Sequence, residues 1–318
     1  MIMKYFKKAG GYKLLIQYWR NGVLGTALTQ FLLLGKCRTA LEILRLSVDL
    51  KTKQRFEKKY RHVLQEFESH WQMNLPHLER RTVWIFWWQG EESMPNIVKR
   101  CYNSMKENLK NWEIILLTKH NYSDYSDVPV YILEKLKCGI ITLTHFSDIL
   151  RLDLLIRHGG LWVDATVFCT SEDIPKSILN SNLFLFLSQK PGADGDAIPM
   201  SSWLMWAKTN NRILMATQTL LYNYWENNNR LNEYFLLHYF MSIVMDFFPE
   251  ESSIIPPFCN SVPHILQLHL FDKFDDDYWN DLRQMTCFHK LTYKLKKEDT
   301  EIIGTFYDKL INGGLVKT

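Results

Sequence analysis

No two cysteines in this chain stand at C-x-x-C spacing. The six present (Cys37, Cys101, Cys138, Cys169, Cys259 and Cys287) are scattered. That argues against a structural zinc site and a disulfide framework, and fits reduced thiols in the cytosol. Long apolar runs are missing too. The longest largely apolar run, Val23 to Leu34, falls short of the roughly 20 residues a bilayer-spanning helix needs. The opening MIMKYFKKAGGYKLL lacks the apolar stretch and cleavage site of a signal peptide. Internal repeats, low-complexity tracts and recognisable nucleic-acid modules are also absent. The expectation is a cytoplasmic protein that does not span a membrane.

What is present is enough for an ordinary core. At 318 residues, 47% hydrophobic and 14% aromatic, the chain can form one sizeable domain with an appendage, and bulk disorder is excluded. Charge is distributed unevenly. Residues 1–65 hold fourteen Lys and Arg against three acids, an excess of +11, so the remainder carries −7 of the +4 total. A basic end on an acidic body points to an anionic surface as partner. The basic residues are spread through apolar segments, which favours membrane lipid over nucleic acid.

Residues 1–70 read as helical throughout. Tyr5, Phe6, Leu14, Leu15, Tyr18 and Trp19 alternate with Lys and Arg. Such a stretch suits a membrane interface or a helical hairpin packed on the body. A strand is expected over Thr82–Gln89 (TVWIFWWQ), a helix over Asn96–Asn108 and a second strand over Trp112–Leu117. This is the order of a βαβ unit with a parallel sheet. A helix is expected over Tyr131–Lys137. Another is expected to start at Ser147 as N-cap and to end at Gly159 and Gly160, which supply the left-handed backbone of a helix terminus. A strand follows over Leu161–Phe168, and another over Phe184–Ser188. Helices are expected at Ser202–Ala207, Arg212–Trp225 and Glu233–Phe247, and a late strand near Thr286–His289.

The segment Ser147–Phe168 carries the chemistry. In a strand over Leu161–Phe168, Trp162, Asp164, Thr166 and Phe168 share one face. Asp164 is then a carboxylate among apolar neighbours. Its burial costs several kcal/mol unless a cation or strong donors meet it. Thr166 offers a hydroxyl in the same direction, so either a hard divalent cation or backbone amides and an Arg can satisfy the acid. On the preceding helix, Asp148 and Arg151 are three residues apart and share a face. Asp153 and Arg157 repeat the pattern and read as a surface ion pair. The tight helix–Gly-Gly–strand connection can bring Asp148, Arg151 and Asp164 to one pocket at the sheet edge.

The string S-D-I-L-R-x-x-x-L-x-x-x-G-G-L-W-V-D-A-T resembles the donor-site signature of GT-A glycosyltransferases with a sugar-binding DXD region. It is most similar to the bacterial capsular polysaccharide synthesis proteins, and more distantly similar to clostridial toxin glucosyltransferases and yeast-type mannosyltransferases. The resemblance implies an α/β fold, a GT-A-like Rossmann-type mixed sheet flanked by helices, with a helical N-terminal extension. Residues 1–75 would form the basic membrane- or acceptor-associating region, and 76–318 the transferase domain. It further implies that Asp148 and Arg151 hold the hexose and that Asp164 is the first DXD acid, with Thr166 standing where the second would be. The strand end VWIFWWQG resembles the family's nucleobase-binding strand. That makes Trp87 the stacking ring, flanked by Phe86 and Gln89; alternation puts Trp84 and Trp88 on the opposite face. CFHKLTYK looks like the closing segment, offering His289 to a metal shell and Lys290 to the pyrophosphate.

Carried over, this is a hexosyltransferase using a UDP-glucose or UDP-galactose donor, Mn²⁺ or Mg²⁺ held by Asp164, Thr166 and His289, and a lipid-linked oligosaccharide acceptor. Anomeric configuration would be retained, and the enzyme would sit peripherally at the inner face of the plasma membrane. The alternatives are a catalytically silent sugar-nucleotide-binding module, which the missing second acid favours, and a sugar-phosphate transferase. Glu233 and His238, five apart, do not share a helix face, and no joint role is assigned to them.

Overall fold

The computed structural model describes residues 12–71, 76–190 and 195–312. The expectations for residues 1–11, including Tyr5 and Phe6, lie outside the described residues. Three helices come first: α1 (Tyr12–Arg20), α2 (Leu24–Leu34) and α3 (Arg38–Ser69). They are followed by β1 (Thr82–Phe86), α4 (Asn96–Asn108), β2 (Glu113–Leu117), α5 (Val130–Lys137), α6 (Leu143–His158), β3 (Gly160–Val163) and β4 (Val167–Cys169). Strands β5 (Leu183–Leu187) and β6 (Met200–Ala207), helices α7 (Arg212–Asn227), α8 (Leu236–Phe247) and α9 (Asp276–Met285), and strand β7 (Phe288–Lys290) complete the frame.

The five-stranded sheet runs β2-β1-β3-β6-β5. β2, β1 and β3 are parallel, and β6 is antiparallel to both β3 and β5. Strands β4 and β7 form a separate antiparallel pair. The sheet lies between two cores. On one face Trp84, Trp162 and Met205 pack with Tyr60 and Leu64 of α3, Leu150 and Leu154 of α6, and residues of α7 and α8. On the other, Val83, Leu161 and Trp206 pack with Val98 and Met105 of α4, Trp279 of α9 and Phe288 of β7. Helices thus cover both faces of a mixed sheet, as expected. The second half of α3 belongs to the main core, whereas Tyr18, Val23, Ala27 and Val48 form a small core of their own.

Three local expectations are corrected. Ser202–Ala207 is strand, not helix: it lies within β6, whose residues alternate between the two cores, Met205 to one and Trp206 to the other. Buried on both faces, it reads as a continuous apolar run, which periodicity alone cannot assign. Helix α6 starts one turn earlier than Ser147. Thr142 is its cap and accepts from the His145 amide at 3.2 Å. Asp148 therefore sits in the second turn. Finally, Leu161–Phe168 is not one strand. β3 ends at Val163, a turn closes with the Val167 amide donating to the Asp164 carbonyl at 3.0 Å, and β4 begins at Val167.

Gly159 and Gly160 join α6 to β3, both with positive φ. At Gly160 (φ +97°) a Cβ would stand 2.5 Å from the Thr82 carbonyl oxygen. Only glycine lets β3 approach β1 this closely.

Candidate functional site

Parallel pairing decides what meets at the carboxyl edge of the sheet. Val83 pairs with Leu161 and Trp84 with Trp162. Continued two residues, that register sets Phe86 level with Asp164. Both chain segments leave the sheet here, at the edge where open α/β sheets bind ligands.

The turn position changes the account of Asp164. It is not a carboxylate sealed inside a central strand: its side chain is 31% exposed and already met by several groups. Trp162 Nε1 donates to Oδ1 at 3.2 Å. Arg151 Nη2 lies 3.4 Å from the same oxygen, and Lys290 Nζ lies 3.9 Å from Oδ2. Cations therefore face both carboxylate oxygens, as a partly buried acid requires.

Arg151 is the hub. Its side chain is only 5% exposed. Nη2 lies 3.2 Å from Asp148 Oδ1, Nη1 donates to Ser202 Oγ at 2.6 Å, Nε donates to the Ser147 carbonyl at 3.2 Å, and the guanidinium covers the Trp162 ring at 4.9 Å. The fork is pre-oriented by groups from α6, β3 and β6. Asp148 is buried beside it. Burial alone would push its carboxyl up, but the Arg151 guanidinium and His145 outweigh that and hold it below the usual carboxylate range. It is a carboxylate at neutral pH. Trp225 Nε1 donates to His145 Nε2 at 2.8 Å, which leaves the proton of a neutral ring on Nδ1, 3.6 Å from Asp148 Oδ2.

Lys290 arrives on β7, whose end is tied to the Asp164 turn by the Leu291 amide donating to the Thr166 carbonyl at 2.9 Å. Its ammonium donates to Thr166 Oγ1 at 2.6 Å and to the Leu291 carbonyl at 3.2 Å. Burial lowers its pKa, with Asp164 opposing. His289, one residue earlier, pairs across with Phe168 and lies against Trp279 at 5.9 Å, fully buried. Neither ring nitrogen has a hydrogen-bond partner, and burial takes its pKa down to about 4.

The expected three-ligand set of Asp164, Thr166 and His289 is therefore not assembled. Strand alternation turns His289 away from the side that Lys290 faces. The Thr166 hydroxyl oxygen accepts from the Lys290 ammonium, which also lies 3.9 Å from Asp164 Oδ2. Among the described residues, no group of three or more His, Cys, Asp or Glu side chains is placed to hold a metal ion. The residues present do not fit a divalent ion held by protein ligands.

Trp87 falls on the face opposite Trp84 and Trp88, as alternation requires. Its Nε1 donates to Ser93 Oγ at 3.1 Å and its ring meets Tyr293 edge-on at 5.7 Å. Gln89 is exposed beyond it. Phe86 goes the other way, packing on Trp88 and Phe146 at 6.1 Å. It supports the start of α6 and does not flank Trp87. Asp153 and Arg157 do pair, at 3.0 Å, but Asp153 is buried and also accepts from the Asp127 amide at 2.9 Å. It is a structural acid and not a surface partner.

Sequence reasoning missed Ser202, His238 and Tyr234 as neighbours of this cluster. Ser202 was hidden by the misread strand. His238 Nε2 lies 3.1 Å from Ser202 Oγ, behind Arg151, and burial lowers its pKa. Tyr234 feels Asp148 and Asp164, and its pKa is raised by burial first and by those charges second. Glu233 faces away, holding Gln17 and Asn21 of the N-terminal helical region at 2.8 and 2.9 Å. A separate cavity of about 590 Å³ is lined by Ser171, Asp173, Phe258, Cys259 and Arg283, among others, and by none of the predicted site residues.

Two curated glycosyltransferases are similar to parts of this chain. The chain is 29% identical over 113 residues to O-glycosyltransferase braB of Annulohypoxylon truncatum, covering 33% of this chain and 27% of that protein. It is 25% identical over 166 residues to O-glycosyltransferase PaGT of Phomopsis amygdali, covering 45% and 38%. The chain thus aligns with well under half the length of these curated relatives. Among solved structures, the PaToxG glycosyltransferase aligns over 85% of this chain and 98% of its own, at 14% identity and a TM-score of 0.35. The profile of the capsular polysaccharide synthesis protein family matches residues 40–310, from early α3 to beyond β7, and the chain belongs to that family.

Proposed function

We propose that the protein is a glycosyltransferase that moves a hexose from UDP-glucose or UDP-galactose to a lipid-linked oligosaccharide in capsular polysaccharide synthesis, with retention of configuration. The observation that carries the reading is the convergence of Asp148, Arg151, Asp164 and Lys290, from α6, the end of β3 and β7, on one carboxyl edge beside Trp87. Each supplies what the reaction needs. Asp148 is an ionised acceptor for sugar hydroxyls. Arg151 is a fixed fork for sugar or phosphate oxygens. When the bond between the anomeric carbon and the diphosphate breaks, negative charge grows on the departing oxygen, and cations already in place stabilise it without reorganising. Trp87 offers a ring to the uracil. Tyr234 and Tyr293 stand exposed near the cluster and offer rings to an acceptor sugar.

Family membership and two glycosyltransferase relatives support the reaction class. Peripheral attachment to an anionic membrane is supported by the +11 excess of residues 1–65 together with exposed Phe31, Leu32, Leu33 and Leu34 on α2. Among the described residues, no helix is long and apolar enough to cross a membrane. Incubation with each UDP-sugar, following release of UDP, tests the reading. Slow hydrolysis or transfer supports it. Tight binding without turnover identifies a silent module, and release of UMP a sugar-phosphate transferase.

A further inference from the structure

We infer that this site grips the donor diphosphate without a divalent cation, the Lys290 ammonium taking the place such an ion would occupy, a conclusion that rests on the nucleotide-sugar reading above. Three observations carry it. Lys290 Nζ lies 2.6 Å from the Thr166 hydroxyl and 3.9 Å from Asp164 Oδ2, the two oxygens that the motif offers to a metal. A dication there would have to displace the lysine or sit against it. Asp164 is already matched by charge, with Arg151 Nη2 at 3.4 Å from its other oxygen and the Trp162 indole donating beside it. The third observation is the donor count. An ammonium has three protons. Two are placed on Thr166 and the Leu291 carbonyl. The contact to Asp164 is too long for a hydrogen bond, so the third proton is available to a phosphate oxygen.

Threonine at 166 then has a physical meaning. A second carboxylate there would bind the ammonium as an ion pair and leave it little charge for phosphate. A neutral hydroxyl positions the lysine without adding a second negative charge to that of Asp164. Lys290 and Arg151, on opposite oxygens of Asp164, form a clamp whose spacing the acid sets. Asp164 positions cations instead of carrying one in.

Titration calorimetry of the full chain with UDP, in EDTA and in excess Mn²⁺, tests this. Wild-type affinity is expected to agree within about twofold between the two buffers, and Lys290→Gln to weaken binding by about tenfold or more in both, with an unchanged melting transition. Mn²⁺ tightening wild-type binding tenfold, or Lys290→Gln binding UDP as the wild type does, would overturn the inference. Should the variant fail to fold, the wild-type comparison decides alone. Absence of UDP binding in both buffers would overturn the nucleotide-sugar reading instead, an outcome separable from binding that appears only with Mn²⁺.

Discussion

At the scale of single residues, Arg151 is constrained on every edge, by Ser147, Asp148, Asp164 and Ser202. A lysine there keeps the charge but loses the fork and the stacking on Trp162. Arg151→Lys should lower kcat/KM for UDP-sugar hydrolysis by roughly 10²–10³-fold, the range seen when one preorganised donor is lost. A change under threefold would remove the fork from the mechanism. His289 gives a pH prediction. Its ring is neutral in the fold down to about pH 4, whereas the unfolded ring titrates near pH 6.5. The unfolded state binds more protons across that window, so stability is full above pH 6.5 and falls as pH drops towards 4, by roughly 3 kcal/mol in all. The fall in Tm between pH 7 and pH 4 should flatten in His289→Phe; an equal slope in both proteins would contradict the assignment. The i, i+3 spacing made Asp148 and Arg151 legible in sequence. His289 was misjudged because whether a histidine faces a site or a core depends on where β7 pairs, a non-local fact.

At the scale of elements, the join between α6 and β3 is the tightest feature near the site. Gly160→Ala would force a strained φ and a clash with the Thr82 carbonyl. It is expected to cost about 1–3 kcal/mol or more and to lower Tm by several degrees, measured by calorimetry. An unchanged Tm would mean that β3 can move away from β1. The Gly-Gly pair, the βαβ order and α4 could all be read from local pattern. β6 and the break at Asp164 could not. β6 is apolar on both faces and carries no period, and the break at Asp164 falls just after the last rung to β6, the Asp164 amide donating to the Trp203 carbonyl at 2.8 Å, a contact between segments distant in sequence. A continuous strand from Leu161 to Phe168 would have sealed the acid in the core. Ending β3 at Val163 brings it to the edge, where it can hold two cations and still face solvent.

At the scale of the molecule, the three layers place chemistry at one carboxyl edge, while the basic helices carry a different surface. Leu32 and Leu33 are 81% and 73% exposed on α2, beside Lys36 and Arg38. The double change Leu32→Glu with Leu33→Glu should reduce co-sedimentation with phosphatidylglycerol vesicles severalfold and leave the melting transition in place, because neither side chain is packed. Undiminished pelleting would assign those leucines another role. Glu233, bonded to Gln17 and Asn21, joins this region to the segment that bears Tyr234, so the N-terminal helices and the site share one connection. The whole account turns on the charged cluster handling a sugar nucleotide. Release of UDP from UDP-glucose and UDP-galactose should be measured side by side for the wild-type protein and Arg151→Ala. Slow release by the wild type that falls by about 100-fold or more in the variant is the predicted result. Equal release by both proteins, or none by the wild type from either donor, would contradict it.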